Sequence, residues 1–121
     1  MHRLVIVESP YAGDIERNVE YARRACLDCI TRGETPFASH LFFPQFLNED
    51  DEGERACGIN RGLEVGQAFL WAATMQESTF QVAFYTDYGW SPGMEEALEF
   101  YSELGATCTI RRMSPAIRAV D

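Results

Sequence analysis

The chain reads as a small α/β domain: a three-layer fold with a parallel sheet and helices on both faces. Two observations predict this. Short apolar, β-branched and aromatic runs alternate with longer stretches of helical period. Turn residues fall where each run stops: Pro10 and Gly13 after the first, Pro44 after the second, Asp87 and Gly89 after the third. Strand–helix alternation of this kind implies parallel strands joined by right-handed crossovers. With 121 residues the chain is expected to be a single domain over 1–121. A domain of that size holds a real core and still gains from an oligomeric partner.

Leu4 to Val7 is a continuous apolar run, the pattern of a central strand buried on both faces. Glu8 to Gly13 follows as a loop, and Asp14 is placed to cap a helix. Ile15, Val19, Ala22, Cys26, Cys29 and Ile30 then mark the inner face of a helix ending at Gly33. Thr35 to Phe43 is expected to hold the second strand, with Ser39 and His40 near its end. Asn48 to Glu54 (NEDDEGE) reads as a solvated acidic loop. A second helix is predicted from Arg55 to about Ala73, with Ile59, Leu63, Gly66, Leu70 and Ala73 on one face. Gly58, Gly62 and Gly66 recur every four residues along it, at a cost in helix stability. Close packing is the simpler reason, against another helix or a second subunit; close approach of a ligand near Gly58 is the alternative. Thr74 to Thr79 connects to a third strand over Phe80 to Thr86. The next helix starts at Ser91-Pro92-Gly93, an N-cap followed by a proline suited to the first turn. Gly105 ends it, Ala106 to Arg111 is the last strand, and Ser114-Pro115 could open a short helix. The expected strand order is 2-1-3-4, a flavodoxin/Rossmann-like arrangement. Its switch point lies between the first and third strands, where open sheets bind ligands.

Composition narrows the partners. A formal charge of −9 argues against a nucleic-acid backbone, which needs a basic footprint. All basic residues are Arg, so a lysine-bearing phosphate loop, a Schiff base and a lysine general base are excluded. No apolar run approaches a membrane span and the N-terminus shows no signal-peptide pattern, so no membrane contact and a cytoplasmic location are expected. Cys26-x-x-Cys29 falls inside a helix with no second close pair, so the cysteines read as buried structural thiols. Neither a metal nor a cofactor is expected.

The stretch from Phe80 to Leu104 organises the rest. Met94, Ala97, Leu98, Tyr101 and Leu104 should face the sheet, and Glu96, Glu99 and Glu103 form a solvated stripe. Glu95 belongs to neither set. Either it complements the helix dipole or it serves the crevice at the strand ends.

The first and third loops, VIVESPYAG and TDYGWSPGMEEA, resemble those of the nucleoside 2-deoxyribosyltransferase superfamily, which includes deoxynucleoside-monophosphate N-hydrolases. The likeness is greatest to its small phage-type members and covers the element order along nearly the whole chain. It implies a Glu nucleophile two positions after a Gly at the start of the third helix, which lands on Glu95 after Gly93 and Met94. It also implies a Tyr beside that Glu, matched by Tyr11, and a carboxylate near the departing base, matched by Asp87. Glu8, Ser9, Gly13, His40, Trp90, Ser91, Gly93 and Met94 complete the expected substrate site. Trp90 either stacks on the base or packs its own loop, and His40 is either a satisfied core histidine or a ligand contact. Glu8 stands where the superfamily has a small residue, so it narrows the pocket or takes over the acid role.

The function implied is N-glycosidic bond hydrolysis or deoxyribosyl transfer on a (deoxy)nucleoside or its monophosphate, in a homo-oligomer. The rival is a binding module that sequesters a nucleotide without turnover.

Overall fold

A computed structural model describes residues 3–113. Its elements are β1 (Arg3–Glu8), α1 (Ile15–Thr31), β2 (Thr35–Phe37), α2 (Ser39–Phe42), a 3-10 turn (Phe43–Gln45), α3 (Glu52–Gln76), β3 (Thr79–Tyr85), α4 (Pro92–Glu103) and β4 (Thr107–Arg111). The four strands form one parallel sheet in the order β2-β1-β3-β4. The expected order and the switch point between β1 and β3 are both present.

Side-chain alternation divides the core. Val5, Val7, Ala83 and Tyr85 pack with Tyr21, Ala25 and Cys29 of α1 on one face. Ile6, Phe80, Val82 and Phe84 pack with Ala73 of α3 and Met94, Ala97 and Tyr101 of α4 on the other. Successive strand residues point to opposite faces, so both faces of β1 and β3 are apolar because both are covered.

Several boundaries differ from the sequence reading. The second strand is only Thr35–Phe37, and Ser39 and His40 lie on α2. β2 is an edge strand paired to β1 alone, so little holds its apolar continuation extended; the chain instead coils, and Pro44 is accommodated in the 3-10 turn. The acidic run is not all loop. Asp51 caps α3 by accepting from the Gly53 N–H, and Glu52 and Glu54 sit in the first turn, where the helix dipole favours anions. α3 also runs on to Gln76, through the expected connection.

The inner faces of two helices are rotated from the apolar count. On α1, Ile15 and Ile30 are exposed while Asn18, Tyr21, Asp28 and Cys29 are buried. Asn18 donates to the carbonyls of Tyr11 and Ala12, and Asp28 accepts from Tyr85 and Arg32. Satisfied polar groups can be buried, and here they displace two isoleucines. On α3, Ile59 is exposed and Gly58, Gly62, Gly66 and Ala73 are buried. The glycine stripe is filled by the chain itself. A Cβ on Gly62 would meet Ser39 of α2 at 2.7 Å, and one on Gly66 would meet the Tyr101 ring of α4 at 2.7 Å. All four cysteines are free thiols, with Cys29 buried and Cys26 partly so. The expected helix at Ser114-Pro115 lies outside the described residues.

Candidate functional site

A cavity of about 400 Å³ lies over the C-terminal end of β1, between α3 and the start of α4, with α2 and the following turn on its flank. That volume falls in the range of small-molecule sites, about 300–1,000 Å³.

Glu8 defines its floor. The alternation that sends Val5 and Val7 toward α1 sends Leu4, Ile6 and Glu8 toward α3 and α4. The last residue of β1 therefore carries a carboxyl into the cavity. Burial pushes this group from 4.5 up to about 8. At neutral pH it is chiefly the uncharged acid. Beside it, Ser9 Oγ and His40 Nε2 share a hydrogen bond of 2.7 Å. Burial lowers the imidazole to about 4, so His40 is neutral at physiological pH. Tyr11 meets the His40 ring edge-on at 6.3 Å, and burial followed by the charge of Glu49 raises its phenol.

The opposite wall is α3. At Gly58 and Gly62 the helix offers backbone rather than side chain, while Ile59 and Leu63 supply apolar surface. Arg55 and Glu49 also line the cavity and are its charged groups on that side. At α4, Ser91 caps the helix by accepting from the Met94 N–H, and Gly93, Glu96 and Ala97 turn one flank toward the cavity.

Of the residues expected from the sequence, Glu8, Ser9, Tyr11, His40, Ser91, Gly93 and Met94 all line this cavity. Four do not. Glu95 is exposed in the first turn of α4 and is not a lining residue, although Glu96 is. The helical repeat explains this: Gly93, Glu96 and Ala97 share a flank at i, i+3 and i+4, and Glu95 lies off it. Tyr11 and Glu95 are thus not brought together in the cavity; Glu96, Glu99 and Glu103 are all exposed, as the solvated stripe predicts, and Glu96 also lines the cavity. Asp87 follows Ala83 and Tyr85 in the two-residue alternation and lies on the α1 side. Its carboxylate accepts from the Tyr21 hydroxyl at 2.7 Å and from the Met113 N–H at 3.1 Å. Trp90 stacks on Phe84 at 5.2 Å, outside the lining set. Gly13 takes a positive φ of 97° before α1, also outside it.

Ser39, Phe43 and Pro44 joined the site unforeseen, because the strand expected there is a helix and turn. Glu96 had a legible signal: it stands three residues after Gly93, which was already expected in the site.

A family model described as "Domain of unknown function (DUF7768)" matches residues 3–111. The chain belongs to that family. The DUF7768 match runs from the first residue of β1 to the last of β4, so it takes in the whole sheet and every element around the cavity. Comparison with curated proteins and with solved structures gives no match. Among the described residues, no cluster of His, Cys, Asp and Glu could hold a metal ion. Nor is any helix among them long and apolar enough to cross a membrane.

Proposed function

We propose that this DUF7768 domain cleaves or transfers the N-glycosidic bond of a (deoxy)nucleoside or nucleoside monophosphate. The observation that carries the reading is Glu8, a partly buried carboxyl whose burial pushes it up to about 8, in a cavity also lined by the carboxyls of Glu49 and Glu96. Glycosidic cleavage needs such a division of labour: one carboxyl protonates the leaving group, and an ionised partner stabilises or captures the oxocarbenium-like sugar. In this scheme the C1′–N bond breaks with its electron pair moving to the base. Glu8 gives its proton to the base, and the Glu96 carboxylate meets the sugar carbon. Water or a second base then takes the sugar and returns a proton to Glu8. Tyr11 orients the sugar, and Arg55 offers the cation for a 5′-phosphate.

The resemblance of the loops favours Glu95 as nucleophile, whereas the cavity lining favours Glu96. Base release from a panel of nucleosides, monophosphates and NAD tests the proposal. Glu8→Gln and Glu96→Gln are each expected to lower turnover at least 100-fold, with Glu95→Gln close to wild type. Release of no base from any member of the panel overturns the enzymatic reading.

One observation favours the rival. Two of the three catalytic positions implied by the resemblance, Glu95 and Asp87, stand outside the cavity. A module that holds a nucleotide without turnover would show a ligand-dependent rise in melting temperature and no free base. A homo-oligomer is also part of the proposal: Ile59, Trp71 and Met75 leave apolar surface exposed along α3.

A further inference from the structure

Glu8 is partly buried, lines the cavity, and has no hydrogen-bond or ion-pair partner among the described residues. A carboxyl that lines a cavity and is paired by no described protein group has both oxygens open to a ligand. We propose that Glu8 determines the ligand specificity of this cavity by pairing, through both carboxyl oxygens at once, with the lactam or amidine edge of a flat nitrogen heterocycle. This deepens the glycosidic reading, on which it rests for the identity of the leaving group.

The chemistry follows from the carboxyl's state. An uncharged carboxylic acid presents one O–H donor and one carbonyl acceptor side by side in a plane. Its complement is an acceptor next to an N–H donor, the pattern of a cyclic amide (N–H beside C=O) or a cyclic amidine (ring N beside NH2). An ionised carboxylate is acceptor-only and pairs well only with two adjacent donors. The walls suit a ring: Ile59 and Leu63 of α3 and Pro92 of α4 are apolar. The same O–H that pairs with a ring acceptor is the proton a departing base would take, so recognition and acid catalysis use one bond.

The pairing has a pH signature. The titratable and charged groups facing Glu8 are Tyr11, His40, Glu49, Arg55, Glu96 and, from deeper in α4, Tyr101. His40, held near 4, stays neutral above pH 6.5, and the phenols of Tyr11 and Tyr101 are both raised, chiefly by burial. Ionisation of Glu8 near pH 8 is therefore the change expected to remove the O–H donor.

Ligand-observed NMR titration with 2-pyridone, and with 1-methyl-2-pyridone as its donor-deleted analogue, tests this on the intact chain. The wild type is expected to bind 2-pyridone at pH 7 at least tenfold more tightly than the methylated ring, and to lose about tenfold between pH 7 and pH 9. Glu8→Gln, whose carboxamide also offers one donor beside one acceptor, is expected to keep the preference and lose the pH dependence. Glu8→Ala is expected to lose the preference. Equal affinity for the two rings, binding of neither, or an unchanged preference in Glu8→Ala overturns the proposal. Circular dichroism shows whether each variant is folded, and the Glu8→Gln result stands even if Glu8→Ala fails to fold. These rings contain no glycosidic bond, so their binding is independent of whether the domain cleaves one. Base release without ring discrimination would sink the edge pairing alone, and discrimination without base release would sink the glycosidase alone.

Discussion

At residue scale, the carboxyl of Glu8 holds a proton in the folded chain that the unfolded chain releases above pH 4.5, because burial raises it to about 8. Between those values the folded state binds more protons, so stability falls as pH rises, by at most about 1.4 kcal/mol per unit. His40 acts on the acid side: its folded imidazole stays neutral down to about 4, so stability falls as pH drops below 6.5. The two slopes oppose each other between 4.5 and 6.5, and the decline from pH 6.5 to 8 belongs to Glu8. Thermal melts are expected to show a wild-type loss of up to about 2 kcal/mol over that interval, flattened in Glu8→Gln. A decline of equal size in the variant would assign the slope elsewhere. The sequence marked Glu8 only as a departure from a familial pattern. Counting by twos from Leu4 through Ile6 would have put it on the face of α3 and α4, and the same count from Ala83 would have turned Asp87 away. Its lack of a partner was beyond any count, since that depends on what four separate elements leave unsaid to its oxygens.

At the scale of elements, α3 and α4 meet where Gly66 lies against the Tyr101 ring. The Tyr101 hydroxyl is buried without a hydrogen-bond partner among the described residues. Gly66→Ala is expected to cost about 1–3 kcal/mol in denaturant melts, because the added methyl overlaps first the Tyr101 hydroxyl and then its ring, which the core holds in place. Tyr101→Phe alone is expected to be near neutral, since it removes a hydroxyl that pairs with nothing. The double variant is then expected to cost less than the sum of the two, as contacting residues do. The glycine period announced tight packing from the sequence, but not the neighbour. Ser39 and Tyr101 are 23 and 35 residues away from the glycines they touch, and periodicity within one helix carries no such information. The short edge strand was hidden for a related reason: TPFASHLFF is apolar enough for a strand or a helix, and only its single sheet neighbour decides.

For the whole molecule, one buried ion pair ties distant parts of the chain. Arg111 at the end of β4 forms a two-pronged bond to Glu34, just before β2, at 2.7 and 2.8 Å, and its guanidinium also reaches the Tyr85 hydroxyl. Both side chains are under a tenth exposed. Removing one partner strands the other charge, so Glu34→Ala is expected to destabilise by about 3–5 kcal/mol. Breaking the exposed Arg61–Glu64 pair with Arg61→Ala is expected to cost less than about 1 kcal/mol. Denaturant midpoints compare the two directly. Sedimentation velocity tests the homo-oligomer: Trp71→Arg with Met75→Arg is expected to yield a slower, monomeric species, and an unchanged profile would place any interface elsewhere. The sheet order was legible because alternation and crossover handedness leave few alternatives. The buried pair was not, since nothing local marks Glu34 or Arg111 as different from the chain's other charged residues.

The unpartnered phenol beneath α3 also works as a spacer. It props two helices apart at a separation set by a rigid ring, with no bond between them to break or reform. With no side chain at Gly66 to yield, the thickness of that ring fixes how closely α3 and α4 approach.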